Sequence, residues 1–164
     1  MSGPRPGSRF LTVGALASFA IALLHLGMIP VGEPAYEYFT APQRLIDLAH
    51  EGSVLPALVT LVVAAAFGAF GVFALLGARR DRGTALRILL VGVTGIYLLR
   101  GALIVPELVV VQHAGYPARM MVFSSVALLV GLMHAVGLGL AWRRLGALDR
   151  AGLPTEHSDK SPVL

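Results

Sequence analysis

The sequence predicts an all-α protein, a bundle of four transmembrane helices with a short interfacial helix in the first outer loop. Three observations carry this expectation. Of 164 residues, 56% are hydrophobic and only 13% charged, with mean hydropathy +0.77, too apolar for a soluble domain of this size to cover its own core. Four apolar windows, at residues 10–29, 54–76, 86–105 and 120–142, are long enough to cross a hydrocarbon core of roughly 30 Å as helices. Basic residues also segregate. Arg5, Arg9, Arg79, Arg80, Arg82, Arg87, Arg143, Arg144, Arg150 and Lys160 fall on one side of such a bundle, against Arg44 and Arg119 on the other. The positive-inside rule then expects both termini in the cytoplasm, in a bacterial cytoplasmic membrane, with loops 30–53 and 106–119 outside.

The organising stretch is the first, RFLTVGALASFAIALLHLGMIPVGEPAYEYF, an apolar run with His25 near its far end. Its basic flank and apolar core imitate a secretory signal. The run is too long for an h-region and GMIPVGEPAYE offers no convincing small-x-small site, so an uncleaved span is expected. Gly14, Ser18, Ala22 and His25 share one narrow face of small residues, the kind that packs closely against another helix in lipid. His25 should point inward.

In the first outer loop, Thr40-Ala-Pro-Gln43 reads as a capping box opening a short helix, with Pro42 in its first turn and Gly52 ending it. Leu45, Ile46, Leu48 and Ala49 cluster on one face and should lie flat at the interface, lidding the bundle. Tyr36, Tyr38, Phe39 and Tyr116 fit an aromatic belt at headgroup depth.

The second span offers Ala64, Gly68 and Gly71 for close packing, and the fourth Gly131, Gly137 and Gly139 beside His134. Arg9-Phe-Leu-Thr-Val-Gly14 echoes Arg87-Ile-Leu-Leu-Val-Gly92, a pattern expected of two related hairpins, though one that apolar bias alone can produce. Residues 1–145 form one transmembrane bundle in this reading, and 146–164, polar after Leu153, a disordered cytoplasmic tail.

Depth selects the candidate site. At 1.5 Å per residue, His25, Arg100 and Thr60 all reach roughly the same level in the outer leaflet. Tyr97 and Glu107 share the face of Arg100; Glu33 and Glu37 stand at the mouth of the first span, and Ser124 and Ser125 near the top of the fourth. The candidate ligand-binding set is therefore His25, Arg100, Tyr97, Thr60, Glu33 and Glu107 around an outward-facing polar pocket. An arginine among membrane helices costs a few kcal/mol unless paired, and Glu107 and Glu33 are its candidate partners. Against this stand blander readings: Arg100 snorkels or simply pins Glu107, and His25 is a bundle histidine satisfied by a neighbouring carbonyl or hydroxyl.

Several chemistries are excluded or disfavoured. There is no cysteine, so disulfides, thiolate metal sites and thiol catalysis fall away. Twelve of the thirteen basic residues are Arg flanking apolar spans, and no basic patch interleaved with aromatics points to nucleic acid. Haem through His25 and His134 fails on height, and His25, His50 and His113 lack any preformed metal-ligand spacing. No cofactor or metal is expected, and no phosphate loop, GxSxG or HExxH is present.

The layout of an N-in first span, an outer segment with a short helix, GSVLPALVT leading into the second span and YLLRG in the third resembles small bacterial four-span membrane proteins of no assigned activity. More loosely, the hydropathy over the four spans is similar to that of DoxX-like proteins, a resemblance that implies an association with quinone-linked oxidoreductases but assigns no residue here. The leading expectation is a non-catalytic or accessory multi-pass membrane protein that holds a small anionic or amphipathic ligand, a lipid headgroup or a partner subunit. The alternatives are a quinone-interacting redox subunit, with His25 relaying a proton, and a small transporter built from two hairpins. Besides the lipid bilayer, a homodimer partner is compatible with the sequence.

Overall fold

The computed structural model describes residues 5–79, 83–113 and 117–145, and within them the chain forms seven helices. They are α1 (Ser8–Val31), α2 (Glu33–Tyr38), α3 (Gln43–His50), α4 (Leu55–Arg79), α5 (Thr84–Ala102), α6 (Ile104–His113) and α7 (Arg119–Leu145). Four stretches are long and apolar enough to cross a membrane, Ser8–Val31, Leu55–Arg79, Thr84–Val109 and Arg119–Arg143. The expected four-helix bundle is the observed one. The expected tail at 146–164, like Tyr116, lies outside the described residues.

Only between 22% and 39% of each apolar window is buried inside the bundle. Leu23, Val62, Leu99 and Leu129 are among the many large side chains facing outward, which only a hydrocarbon solvent leaves without penalty. The interior is built from small residues instead. Ala15, Ser18, Ala64, Ala74, Ala78, Ser124 and Ala141 are buried, and Leu11, Leu90 and Leu145 are the larger groups that fill the core. Because lipid is as apolar as leucine, close packing and internal hydrogen bonds replace the hydrophobic effect as the force between helices.

The bundle consists of two antiparallel hairpins, α1 with α4 and α5–α6 with α7, joined mainly along the α1–α7 seam. Gly71 of α4 lies against the Phe19 ring, and Gly77 against Leu90 and Leu11. In the second hairpin the approach is closest at Gly101, where an added Cβ would stand 2.5 Å from the Leu128 Cα. Gly131 packs likewise on Leu98, and Gly137 on Leu11. By contrast Gly68, Gly92 and Gly139 face open space. The echo of Gly14 in Gly92 is therefore not matched by equivalent packing.

Serine and threonine hydroxyls inside the spans are satisfied locally. Thr12, Ser18, Thr60, Thr94 and Ser125 each donate to the carbonyl four residues earlier, at 2.7–2.9 Å. In hydrocarbon this keeps these five hydroxyl protons paired.

Proline sets the breaks. Pro106 clashes with a helical carbonyl four residues back, at Ala102, and α5 ends there. After a turn at Leu103 the third span resumes as α6, with Pro106 tolerated in its first turn, so the crossing reaches Val109 and exceeds the expected 86–105 window. Pro30 similarly falls in the last turn of α1, which stops at Gly32 with φ 72°.

Over the end away from the termini, α2 and α3 form a cap. Helix α2 went unnoticed in the sequence because its six residues, EPAYEY, carry too short a pattern. Helix α3 occupies the expected stretch and ends before Gly52 at φ 73°, a left-handed position suited to glycine. The capping box, however, does not form. Pro42 is the N-cap, Gln43 turns forward to donate to Asp47 at 2.9 Å, and the Thr40 hydroxyl bonds the Phe39 carbonyl and the Met120 sulfur. Thr40 at φ 51° is the turn residue that brings α3 back over the bundle.

Replacing Gly101 by Val should destabilise the bundle by about 1–3 kcal/mol, since backbone rather than a flexible side chain occupies the space. Gly92→Ala, at an open position, should be neutral or mildly stabilising. Thermal unfolding in detergent distinguishes the two; equal effects would contradict the packing described.

Candidate functional site

The candidate residues fall into three groups with His25 apart from them, and the structure places them at different points of the bundle. The first is an ion pair at the outer end of the second hairpin. Arg100 on α5 donates to the Ser124 hydroxyl at 2.5 Å and lies 3.5 Å from a Glu107 carboxylate oxygen. The break between α5 and α6 allows this pairing, because it turns Glu107 back into the seam with α7. Glu107 is 7% exposed while Arg100 stays half-exposed, and the second Glu107 oxygen is buried without a hydrogen-bond partner among the described residues. Glu107 is thus the Arg100 partner among the two acids considered.

Glu33 has another role. Its carboxylate meets the His50 Nδ1 at 3.0 Å, tying α2 to α3 across the exposed face of the cap. Thr60 belongs to the same cap. Its hydroxyl donates to the Pro56 carbonyl at 2.8 Å and lies 3.3 Å from the buried Tyr36 phenol, anchoring α2 on α4.

The third group lies at the centre. The Tyr97 phenol donates to Ser18 at 2.8 Å, and its ring stacks on His134 with centroids 5.3 Å apart. His134 donates through Nδ1 to the Val130 carbonyl at 2.9 Å and is fully buried, with Nε2 lacking a partner among the described residues. Gly14 makes room for it, as a Cβ there would sit 2.6 Å from the imidazole. The sequence marked Gly14 and Ser18 as a packing face; that His134 and Tyr97 are what they meet required the three-dimensional register.

His25 stands apart from Arg100. Its Nδ1 donates to the Ile21 carbonyl at 2.8 Å and its ring lies 5.1 Å from the Phe67 ring, on the first hairpin. Among the described residues no hydrogen bond, ion pair or ring contact links His25 to Arg100. Nor does any group of three or more His, Asp or Glu suited to a metal occur among them.

A sizeable apolar cavity lies elsewhere. A groove of about 690 Å³ runs along the outward half of α1 beneath α2, lined by Leu23, Leu24, Gly27, Met28, Val31 and Pro34 and closed at its rim by Tyr38 and Phe39. None of the six candidate residues lines it. The rim carries a charge that sequence reasoning overlooked: Arg119, at the start of α7, donates from Nε to the Tyr38 carbonyl at 2.6 Å, its guanidinium 5.1 Å from the Tyr38 ring centroid. Phe39 stacks on Phe123 at 5.3 Å, completing the latch between cap and α7. An Arg119 read only as a loop charge gave no signal of this, since Tyr38 lies far from it in the chain.

Four apolar crossings, a bundle interior of small residues and a cap latched over one end are the build of a multi-pass membrane protein. Comparison with protein families, characterised proteins and solved structures finds no match to this chain.

If Arg100 and Glu107 stabilise one another, Arg100→Leu and Glu107→Gln should not be additive. The double variant should recover about 1 kcal/mol or more relative to the sum of the single losses, within the range for contacting residues. Additive losses in thermal unfolding would mean the pair is not coupled.

Proposed function

We propose that the chain is a non-catalytic, accessory membrane protein whose capped end holds a lipid-like amphipath. The apolar tail lies in the α1–α2 groove, and a head bearing hydrogen-bond acceptors sits at the Tyr38–Arg119 rim. The groove carries the proposal: it is concave, apolar, placed against the hydrocarbon, and ends where an arginine is already oriented by Tyr38. Guanidinium edges left over after the Nε bond suit carboxylate, phosphate or carbonyl oxygens. Of the cap's acids, Glu33 and Asp47 are engaged by His50 and Gln43 and Glu37 and Glu51 are exposed, and Arg119 is the cation that Tyr38 holds at the rim.

In this reading the ion pair of Arg100 with Glu107 and the Thr60–Tyr36 contact hold the second hairpin and the cap in the shape the groove requires. His25, its ring tilted against Phe67, fixes α1 behind it. The orientation proposed is the one the positive-inside rule favours, with both termini in the cytoplasm of a bacterium and the groove in the outer leaflet.

Gly27 supplies the test, because a side chain there meets nothing within 4 Å and would fill the groove without disturbing the bundle. Protein purified in mild detergent should retain one class of amphipath, identified by mass spectrometry of the extract. Gly27→Trp should lose it while unfolding at an unchanged temperature, and Arg119→Gln should retain less. If the retained lipids of Gly27→Trp equal those of the wild type, the groove is not the site. A quinone in the extract, with its ultraviolet spectrum, would move the reading toward the redox subunit.

A further inference from the structure

At the opposite end of the bundle the charge distribution inverts. Every acid among the described residues, Glu33, Glu37, Asp47, Glu51 and Glu107, lies in the capped half, whereas Arg5, Arg9, Arg79, Arg87 and Arg143 gather at the end carrying the termini. Arg5 reaches the Arg79 carbonyl, closing α1 on the end of α4. Arg87 is different. Its guanidinium carbon lies 3.7 Å from the centroid of the Trp142 ring, a cation–π stack bridging α5 and α7. The stack fixes the plane of the guanidinium and leaves its edge to an in-plane acceptor. Yet Nε of Arg87 is buried without a hydrogen-bond partner among the described residues.

A cavity of about 280 Å³ opens beside this stack, lined by Thr84, Arg87, Ile88, Val91 and Trp142. Its depth is informative. Arg87 lies within the first turn of α5, at headgroup level, and Val91 one turn deeper, so the cavity descends about 6 Å from the Arg87 level into the hydrocarbon. Arg87, half-buried, is the one charged side chain of the lining, and Ile88 and Val91 supply aliphatic surface below it. A buried donor without an acceptor is costly, and no acid in the described part of this end can supply one.

We infer that the Arg87–Trp142 cleft is a binding site for a phospholipid with an anionic headgroup, its phosphate on the edge of Arg87 and the start of an acyl chain along Ile88 and Val91. Phosphate oxygens match the paired N–H edge of a guanidinium. The partner comes from the leaflet on the terminal side, where Arg5, Arg9, Arg79 and Arg143 raise the local concentration of anionic lipid. This site is independent of the groove under the cap, being at the other end, on other helices and selected by charge rather than by tail volume.

Trp142 is the single tryptophan of the chain, so its fluorescence reports on this cleft alone. The full-length protein is reconstituted in phosphatidylcholine vesicles with a minor fraction of phosphatidylglycerol, and either lipid is supplied with brominated acyl chains as a contact quencher. Brominated phosphatidylglycerol should quench Trp142 as though enriched about fivefold over its bulk fraction, the factor one arginine near an anionic surface supplies. Arg87→Gln should remove most of the preference, leaving what the surrounding arginines supply, whereas Arg143→Gln, at an exposed neighbour, should keep most of it. Equal quenching in the wild type overturns the inference without any variant having to fold. So does a preference that survives Arg87→Gln undiminished, which would mean a diffuse basic surface and no specific cleft.

Discussion

The contact on which the rest of the molecule depends is the meeting of Gly14 and Ser18 with His134 and Tyr97 at the centre of the bundle. Each hairpin is held internally by glycine-mediated approach; between the hairpins Gly137 packs on Leu11 and Gly77 on Leu90, and this junction adds the buried polar contact to that apolar seam. In a bilayer the outward leucines and valines gain nothing by turning inward. A phenol that would be unsatisfied in hydrocarbon does gain, through Ser18 of α1, while His134, satisfied within its own helix by the Val130 carbonyl, fills the space above Gly14; together they set the register of one hairpin on the other.

That register positions both ends. On the capped side it brings the start of α7 under α2, so Arg119 reaches Tyr38, Phe123 reaches Phe39 and Met120 reaches Thr40. The cap is thus held by two supports from different hairpins, Tyr36 on Thr60 of α4 and this latch on α7, and the groove between α1 and α2 keeps its shape because neither can shift alone. On the terminal side the α5–α7 pairing, closed at Gly101 and Gly131, carries Arg87 over Trp142. Two cavities of opposite character follow from one packing scheme: an open apolar groove beneath an acid-rich cap, and a small cleft headed by an arginine.

Much of the architecture was legible in the sequence because it depends on composition and period. Span lengths, the face of Gly14, Ser18 and Ala22, the helix at 43–50 and the pairing of Arg100 with Glu107 all rest on local spacing, and local spacing survives folding. What was not legible depends on rotation and register between helices. Height alone put His25 beside Arg100, yet height says nothing about which way a side chain turns, and the two residues bind within separate hairpins. The same gap hides the Tyr97–His134 stack, since the two residues lie on different helices and spacing along the chain does not turn their rings toward one another. Thr40 misled for a different reason: its spacing to Gln43 fits a cap, but the chain needs a left-handed turn there, and Met120 takes the hydroxyl.

The most direct test of this account is a double-mutant cycle between Gly14 and His134, read by thermal unfolding in detergent. Gly14→Ala alone should be markedly destabilising, because the added methyl meets a buried ring that has nowhere to move. With His134→Ala in the background the same substitution should cost little or nothing, as the imidazole it strikes is gone. If Gly14→Ala is equally harmful with and without His134, the two hairpins are not locked at this point and the register argued for both ends loses its foundation.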